Sequence, residues 1–565
     1  MLLYNARIYT LDPNRPTATA IAIDRERILA VGDGAAQDSI LQSSCDLGGR
    51  VIIPGLTDAH IHLQSYALSL QKVDCETSTR AECLRRVAER VQRTPAGEWI
   101  LGHGWNQNEW DEPLTPASSP KMGEGGTVVP EGNFPSAADL DAISLHHPIY
   151  LTAKSLHAAW ANNAALKIAG ITAQTPNPPQ GHILRAMDGN PSGILLENAM
   201  LLVARLLPQP SVDRIAEAIK AAQPRLWQVG LTAVHDFDRQ TCFSALQILH
   251  SRGELGLRVV KSIPLEDLPF AVGLGLRSGF GDDLLRIGSV KAFADGALGP
   301  HTAAMFQPYE GESTNRGMLL LDGEALFDQG RLAVENGLSL AVHAIGDRAN
   351  HEVLAGFAQL RDFERSIQNP QSASRNLLRH RIEHVQLIHP DDDHRLAESG
   401  IIASMQPIHA PSDMLMADRF WGDRAANAYA WRTLLKHGTR LAFGSDAPVE
   451  SPNPFWGLHA AVTRQRSNGS PGAQGWYPAQ RLSIEEALHG FTVGAAYAAN
   501  MECLLGKLAP GYLADLLVLD TDPFTCTAEQ LRQIHPVATM VAGEWKWSAE
   551  CGTVVPVNTH SSPMV

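Results

Sequence analysis

The stretch Val51–His62 constrains the fold of this chain more than any other part of the sequence. It begins as a β-branched apolar run, which predicts a strand that enters a core. Pro54 and Gly55 then bend the chain, and a second short strand ends in His60 and His62. Side chains two apart on a strand share a face, so both imidazoles would lie on one side of the strand end. The pattern predicts two arms of a metal site, and a pair of hydrogen-bonded structural histidines is the alternative.

Length and charge limit the classes of protein to which the chain can belong. With 565 residues, 44% of them apolar, it can bury a large core and form more than one domain. The net charge of −14 argues against general affinity for nucleic acid. We also find no apolar run long enough to span a bilayer and no signal-peptide pattern. These features predict a protein that binds neither nucleic acid nor membrane.

The cysteines indicate a reducing compartment. Seven are scattered along the chain, and none stands in a Cys-x-x-Cys motif. An odd, unclustered set fits reduced thiols better than a disulfide framework or a cysteine zinc site. We therefore expect a cytoplasmic protein.

Both ends of the chain predict small β structures. Short strand patterns separated by Gly, Asp and Asn turns fill residues 3–53, and a similar texture returns at 507–547. We predict one β-sandwich domain built from both termini, with its parts at 1–54 and 496–557. Residues 558–565 read as a disordered tail.

Between these ends, short apolar strands alternate with helical stretches. The strand patterns are Leu231–Val234, Ile287–Phe293, Leu338–His343, Arg379–His384, Ile401–Met405 and Arg440–Phe443. Repeated units of this length predict an α/β fold, a (β/α)8 TIM-like barrel at 55–495 with its active site at the carboxyl ends of the strands.

The alternation of strand and helix patterns is interrupted between about residues 70 and 215. Asp111–Ser136 and Thr175–Gly193 are rich in Pro and Gly and read as irregular segments. We predict a large insertion after the first barrel strand, of the kind that forms a lid or a binding wall.

Residues of types that can bind metal ions lie within or at the ends of the predicted strands. Lys291 lies within an apolar strand, where a lysine is costly unless it is paired or modified. His343, His384 and Asp446 each stand at a strand end. With the two histidines of the first strand they offer neutral nitrogens and one carboxylate. Zinc accepts such a set, and so would iron(II), manganese or nickel.

The order of these motifs resembles the amidohydrolase superfamily. It is most similar to the YtcJ-like branch, amidohydrolase family 3, which includes the N-substituted formamide deformylases. The segments that carry the resemblance are Gly104–Gln107, Lys291–Ala303, His343–Arg348, His384–Gln386, Gly444–Pro448 and Leu508–Asp515.

The resemblance implies a barrel with a β-sandwich and a metal centre that holds one or two divalent ions, with zinc expected. The implied ligands are His60, His62, Lys291, His343, His384 and Asp446. Asp446 would also be the general base, and Lys291 would be a carbamylated bridge between two ions. Unmodified, Lys291 would repel a second ion, which favours a mononuclear site.

The predicted substrate contacts are His103, Trp105, His157 and His301. Aromatic rings with a few polar groups suit a small N-substituted amide with an apolar substituent. His157 could equally be a packing residue. Two departures from the family pattern bear on substrate choice: Pro300-His301-Thr302 replaces Ser-Arg-Thr, and Lys154 replaces an arginine.

Other residues have both structural and functional interpretations. Asp58 and Asp295 could orient the metal-binding residues without contacting the metal themselves. His235 could line the barrel mouth or make a structural hydrogen bond. For Trp99 and Trp110, packing in the insertion is favoured over substrate contact.

These expectations converge on a hydrolase of carbon–nitrogen bonds other than peptide bonds, which uses metal-activated water and Asp446 as general base. A deaminase or an ester or lactone hydrolase on the same fold is the first alternative. A non-catalytic metal- or ligand-binding relative is the second, and the intact Asp446 argues against it. The expected partner is a small-molecule substrate, and a homodimer is compatible with the sequence.

Overall fold

The computed structural model describes residues 1–33, 43–107, 110, 134–154, 158–179, 181–299, 301–367 and 377–549. The chain divides into a barrel unit, Met1–Tyr66 with Val212–Val565, and an insertion unit, Ala67–Ser211. The predictions for His157 and for the tail at 558–565 lie outside the described residues, as does Pro300. No helix in the described ranges has the length and apolar character needed to cross a membrane.

The barrel unit is organised around a parallel sheet that runs in chain order. Among the described residues this sheet has eight strands, which we number 1 to 8. The barrel strands are Leu56–Ile61, Leu231–Asp236, Arg258–Pro264, Leu285–Phe293, Leu340–Ala344, Arg381–His384, Ile402–Met405 and Leu441–Phe443. Their residues are almost all buried, as expected for parallel strands covered on both faces. The predicted TIM-like barrel is confirmed.

Helices follow the strands, and several begin at a polar cap that the sequence provides. Asp322, for example, accepts the N–H of Ala325 at 2.9 Å and starts Gly323–Glu335. Beginning with the helix that precedes strand 2, the described α-helices of the barrel unit are Val212–Gln228, Gln240–Ser251, Leu268–Gly273, Gly323–Glu335, Asp347–Ile367, Arg395–Glu398, His409–Trp421, Trp431–Lys436, Pro454–Thr463, Ile484–His489, Ala495–Ala498 and Ala528–Gln533. Leu63–Ser69 follows strand 1.

Two further sheets of the barrel unit share one apolar core. The first combines both chain ends: Thr17–Ala18, Arg7–Tyr9, Val51–Pro54, Leu516–Leu519, Pro536–Val541 and Glu544–Ser548. The second contains Arg27–Val31, Ile21–Asp24, Leu2–Tyr4 and Ser44–Asp46. Leu3 and Ile23 of the second sheet are buried in the same cluster as Ile52 and Val518 of the first. The two termini therefore build one sandwich-like core, which agrees with the predicted fold class.

The described residues of the insertion unit form regular strands and helices, and most of the predicted irregular segment Asp111–Ser136 lies outside them. Its described strands form a mixed sheet in the order Gly181–Arg185, Pro191–Glu197, Ala158–Ala161, Ile149–Ala153, Ile100–Trp105 and Val73–Asp74. Its α-helices are Arg80–Gln92, Ala137–Asp141, Asn163–Ile168 and Leu201–Ala204. Two apolar clusters fill it, one of them around the fully buried Trp105 and Trp160.

Candidate metal centre

Histidines from separate barrel strands meet one carboxylate at the carboxyl ends of the strands. The ligand atoms of His60, His384 and Asp446 lie within 4.8 Å of one another. Asp446 Oδ1 is 3.5 Å from Nε2 of His60 and 3.4 Å from Nε2 of His62. The ring centres of His343 and His384 are 4.6 Å apart. Five residues from four separate parts of the sequence thus form one cluster, which we call the histidine cluster.

Two imidazoles of the cluster are held by carboxylates. His60 Nδ1 lies 2.6 Å from Glu383 Oε2, and His62 Nδ1 lies 3.3 Å from Asp238 Oδ1. Asp238 also accepts the backbone N–H and the hydroxyl of Ser65, each at 3.0 Å. These carboxylates accept an Nδ1–H proton, so Nε2 of each ring faces Asp446; it is the free ligand nitrogen in His60, whereas in His62 it is hydrogen-bonded to Asp446.

The other two imidazoles have neutral partners. His384 Nδ1 lies 2.7 Å from Gln406 Oε1, so its Nε2 is the remaining ligand atom. His343 is turned the other way, with Nε2 3.0 Å from the carbonyl of Gly296 and Nδ1 left over. His60, His343 and His384 therefore each have one nitrogen engaged by the protein and one available, which is the usual arrangement of metal-binding histidines.

Burial keeps most of these rings neutral. It lowers the pKa of His60 to about 4 and that of His343 to about 3, with the nearby Lys291 adding to the effect. The pKa of His384 also falls well below its usual range through burial. Burial would lower the pKa of His62 as well, but the hydrogen bonds with Asp238 and Asp446 outweigh it and raise the pKa to about 10. Neutral imidazole is the form that binds metal ions.

Lys291 points its amine at two aromatic rings beside the cluster. Its Nζ lies 4.6 Å from the ring centre of Phe237 and 4.9 Å from that of Phe293. Burial lowers the pKa of Lys291 to about 8, against the pull of the nearby carboxylates Glu383 and Asp446. The lowered pKa favours the neutral amine, which is the nucleophile that adds carbon dioxide.

Asp58 and Asp295 hold mainly backbone groups, and Asp295 Oδ1 also lies 3.6 Å from Nε2 of His343. Asp58 Oδ1 accepts the N–H of His60 at 3.1 Å and that of Ser445 at 2.9 Å, while its Oδ2 accepts the Ser445 hydroxyl. Asp295 accepts three N–H groups, from Ala304, Ile345 and Gly346, at 2.8 to 3.0 Å. Each carboxylate thus fixes loops on which cluster residues stand.

Two predicted substrate residues, Trp105 and His103, have their contacts within the insertion unit. Trp105 is fully buried, its Nε1–H donates to the carbonyl of Leu151 at 2.9 Å, and it packs against Trp110 and Trp160. It is a core residue rather than the predicted substrate contact, because it has no surface to offer a ligand. His103, also in the insertion unit, pairs with Thr152 Oγ1 at 2.9 Å.

His301 belongs to the barrel unit and is tied to its own loop. Its Nδ1 lies 2.5 Å from Glu312 Oε1, and its ring packs on Tyr309 and Phe420. Among the described contacts of His301, none involves the histidine cluster. His235, left open by the sequence, lies 2.9 Å from Arg381 Nη1 and is buried, which fits the structural interpretation.

The donor set of the cluster fits a divalent transition metal. It offers neutral nitrogens and one carboxylate oxygen, with each free nitrogen fixed by a bond to the opposite side of its ring. Three of those bonds are made by residues that were not predicted from the sequence, Glu383, Asp238 and Gln406. Their only local signal is a polar residue at or just beyond the end of a barrel strand.

Comparison with known proteins decides the family. The model of the amidohydrolase family matches residues 44–545. The chain belongs to the amidohydrolase family. This amidohydrolase is 33% identical to the protein LONG AFTER FAR-RED 3 of Arabidopsis thaliana, over 96% of this chain and 91% of the relative. It is 31% identical to the YtcJ protein of Bacillus subtilis (strain 168), over 88% and 89% of the two chains.

A third relative has a name that describes a reaction. The amidohydrolase is 28% identical to the N-substituted formamide deformylase of Arthrobacter pascens, over 96% of this chain and 97% of the relative. Among solved structures, an uncharacterized metal-dependent hydrolase from Pyrococcus horikoshii OT3 superposes with a TM-score of 0.74 at 26% identity, covering 93% and 98% of the two chains. The predicted YtcJ-like branch, the fold and a hydrolase of carbon–nitrogen bonds are confirmed.

Proposed function

We propose that this amidohydrolase hydrolyses small N-substituted amides in a metal-dependent reaction with Asp446 as general base. The observation that carries the proposal is the position of the Asp446 carboxylate, 3.4 to 3.5 Å from the Nε2 atoms of His60 and His62. The similarity to a formamide deformylase along nearly the whole chain supports an amide as the substrate class.

His60, His62, His343 and His384 are the proposed holders of the metal, with zinc as the expected ion. A bound divalent ion supplies Lewis-acid chemistry, in that it lowers the pKa of water and polarises a carbonyl. The residues of the chain prepare for it by presenting neutral nitrogens. His62 is the exception, since it must give up the proton that its raised pKa favours.

Asp446 starts as a carboxylate, which is the form a general base requires. Burial would raise its pKa, but the neighbouring His60, His62 and His384 hold it well below its usual range. The carboxylate can therefore take a proton from an attacking water and deliver it to the leaving nitrogen of the amide. Its position is fixed by the backbone bond to strand 1 and by the loop that Asp58 holds.

Lys291 is proposed to be carbamylated and to bridge two ions. Its buried amine has a lowered pKa, and the modification would turn a cation into an anion beside the imidazoles. An unmodified Lys291 cation would repel a second ion and favour a single one. The two states differ in charge and in metal content, so they are separable by experiment.

A substrate panel on zinc-loaded protein tests the reaction class. N-benzylformamide, N-butylformamide and N-benzylacetamide represent amides, benzyl formate represents esters, and adenine represents ring deamination. We expect turnover of at least one amide that is lost on chelation and returns with zinc. Turnover of only the ester or of adenine would replace the amide assignment with one of the alternatives. No turnover by protein shown to contain metal would favour a binding role.

A further inference from the structure

We propose that Glu383 is a positioning residue that sets the tautomer of His60 and thereby the metal affinity of the histidine cluster. This inference rests on the function proposed above. It concerns a carboxylate that takes no part in the proposed chemistry but touches one of the proposed ligands.

Glu383 stands between an imidazole and a guanidinium in the interior of the barrel. Its side chain is fully buried, with Oε2 2.6 Å from His60 Nδ1 and Oε1 2.7 Å from Arg381 Nε. A buried carboxylate is stable only when paired in this way. One carboxylate therefore joins strand 6 to the first proposed ligand on strand 1.

The backbone of strand 6 explains how Glu383 and His384 serve the same centre. In regular strand geometry these neighbours would point to opposite faces. His384, however, has φ +76° and the next residue, Val385, has φ +43°, both in the left-handed region. This turn re-aims His384 and lets consecutive residues reach the cluster. A non-glycine residue with such a φ is uncommon and points to a functional constraint.

Arg381 is itself fixed, so the carboxylate has little freedom. Its Nη1–H donates to His235 Nδ1 at 2.9 Å, and its guanidinium lies 5.0 Å from the ring centre of Phe237. The Phe237 ring stacks on His60 at 4.1 Å, which also restrains the imidazole. Ring and carboxylate are therefore held from several sides within one buried network.

This arrangement selects one tautomer of His60. A carboxylate at 2.6 Å accepts a proton from Nδ1 and would repel the lone pair that the other tautomer places there. The Nε2 lone pair must then face Asp446, 3.5 Å away. A negative charge behind an imidazole also raises its basicity as a ligand. Loss of Glu383 should weaken metal binding even though it is not a ligand.

The decisive variant is Glu383→Gln, which keeps the shape and removes the charge. Glu364→Gln is a matched control, since Glu364 is also buried and lies 2.5 Å from a guanidinium, that of Arg361 on the helix Asp347–Ile367. Zinc affinity of the full-length proteins is measured by competition with a chromophoric chelator. We expect Glu383→Gln to bind zinc roughly 10- to 100-fold more weakly than the parent and Glu364→Gln to match it.

A second variant guards against misfolding, because Glu383→Gln leaves Arg381 without its counter-ion. Arg381→Met with Glu383→Gln removes both charges, and the same loss of zinc affinity is expected. In folded protein labelled with 15N-histidine, the Nδ1–H signal of His60 should shift or disappear in both variants.

Three results would overturn the inference. Equal zinc affinity in the parent and Glu383→Gln would do so while leaving the proposed function intact. An equal loss in Glu364→Gln would show a general effect of removing a buried charge. Failure of the parent to bind zinc would overturn the proposed function first and this inference with it.

Discussion

The backbone N–H of Asp446 donates to the carbonyl of His60 at 2.7 Å. His60 stands near the end of barrel strand 1 and Asp446 follows strand 8, so this bond joins the first strand to the last. Asp446 has φ +61°, a left-handed conformation that turns its carboxylate toward the imidazoles. The proposed base is therefore placed by backbone geometry as well as by side-chain contacts.

Replacing that carboxylate tests its role. Asp446→Asn keeps the size but removes the proton acceptor, and we expect kcat to fall by roughly 10²–10⁴. Metal content must be measured in the same sample, so that loss of the base is separated from loss of the ion. Asp418→Asn, on the exposed side of the helix His409–Trp421, is the control. Near-normal turnover by metal-loaded Asp446→Asn would assign the base to another group.

The metal itself can be counted. Gently purified protein is expected to hold about one to two divalent ions per chain, because the cluster offers donors for that number. Elemental analysis gives the number, and dialysis against a chelator followed by added zinc should abolish and restore activity. The His384→Ala variant should hold fewer metal ions per chain than the parent protein. Persistent absence of metal, with no gain of activity on adding it, would contradict the proposed centre.

The state of Lys291 is open to a spectroscopic test. Protein incubated with 13C-bicarbonate should show a carbamate carbon signal that Lys291→Ala lacks. The same variant should lose metal and activity together, because the anionic bridge is gone. If the signal is missing from active parent enzyme with one ion per chain, Lys291 acts as the free amine.

Trp105 is expected to matter for stability rather than for substrate binding. It is fully buried among Trp110 and Trp160, so Trp105→Ala should cost about 3–5 kcal/mol in the free energy of unfolding. Urea denaturation followed by circular dichroism measures this loss. Trp456→Ala, at a half-buried position of the barrel unit, should cost much less. An unchanged stability with a raised KM would restore Trp105 as a substrate contact.

A buried ion pair links barrel strand 3 to the sheet from the chain termini. Arg258 contacts Asp515 through Nε at 2.6 Å and Nη2 at 2.8 Å, and both side chains are buried. Asp515→Asn leaves the guanidinium unpaired and is expected to destabilise the protein by about 3–5 kcal/mol. Arg258→Met combined with Asp515→Asn should recover much of that loss in the same denaturation assay. Equal losses in both variants would rule out an uncompensated charge as the cause.

Strand 3 also shows why a barrel strand with buried charges can be missed by local sequence patterns. The other barrel strands were predicted from short apolar stretches even though strands 4 and 6 contain charged residues, whereas strand 3, which contains Arg258 and Lys261, was not predicted. Each charge is buried because of a distant partner, Asp515 for the arginine and Asp236 for the lysine, 2.9 Å from its Nζ. A local window contains no sign of either partner.

The candidate site likewise contains some residues that local sequence patterns predict and others that depend on tertiary contacts. Histidines that end apolar strands are visible in the sequence, and the barrel brings them together. Glu383 was not visible, because strict alternation assigns it to the face opposite His384 and the left-handed turn that cancels this is a tertiary feature. The burial of Trp105 likewise depends on Trp160, which lies on another strand of the insertion sheet.

The Asp58–Ser445 contact joins residues 387 positions apart. On a growing chain, His60 and His62 are made long before the strand that carries Ser445 and Asp446. Closure of such a long loop is slow and comes late, after local helices have formed. A nascent chain thus carries two histidines without the carboxylate and without the bonds that hold them, and a competent centre forms only when strand 8 docks. Metal capture by this amidohydrolase should consequently report the last step of barrel folding.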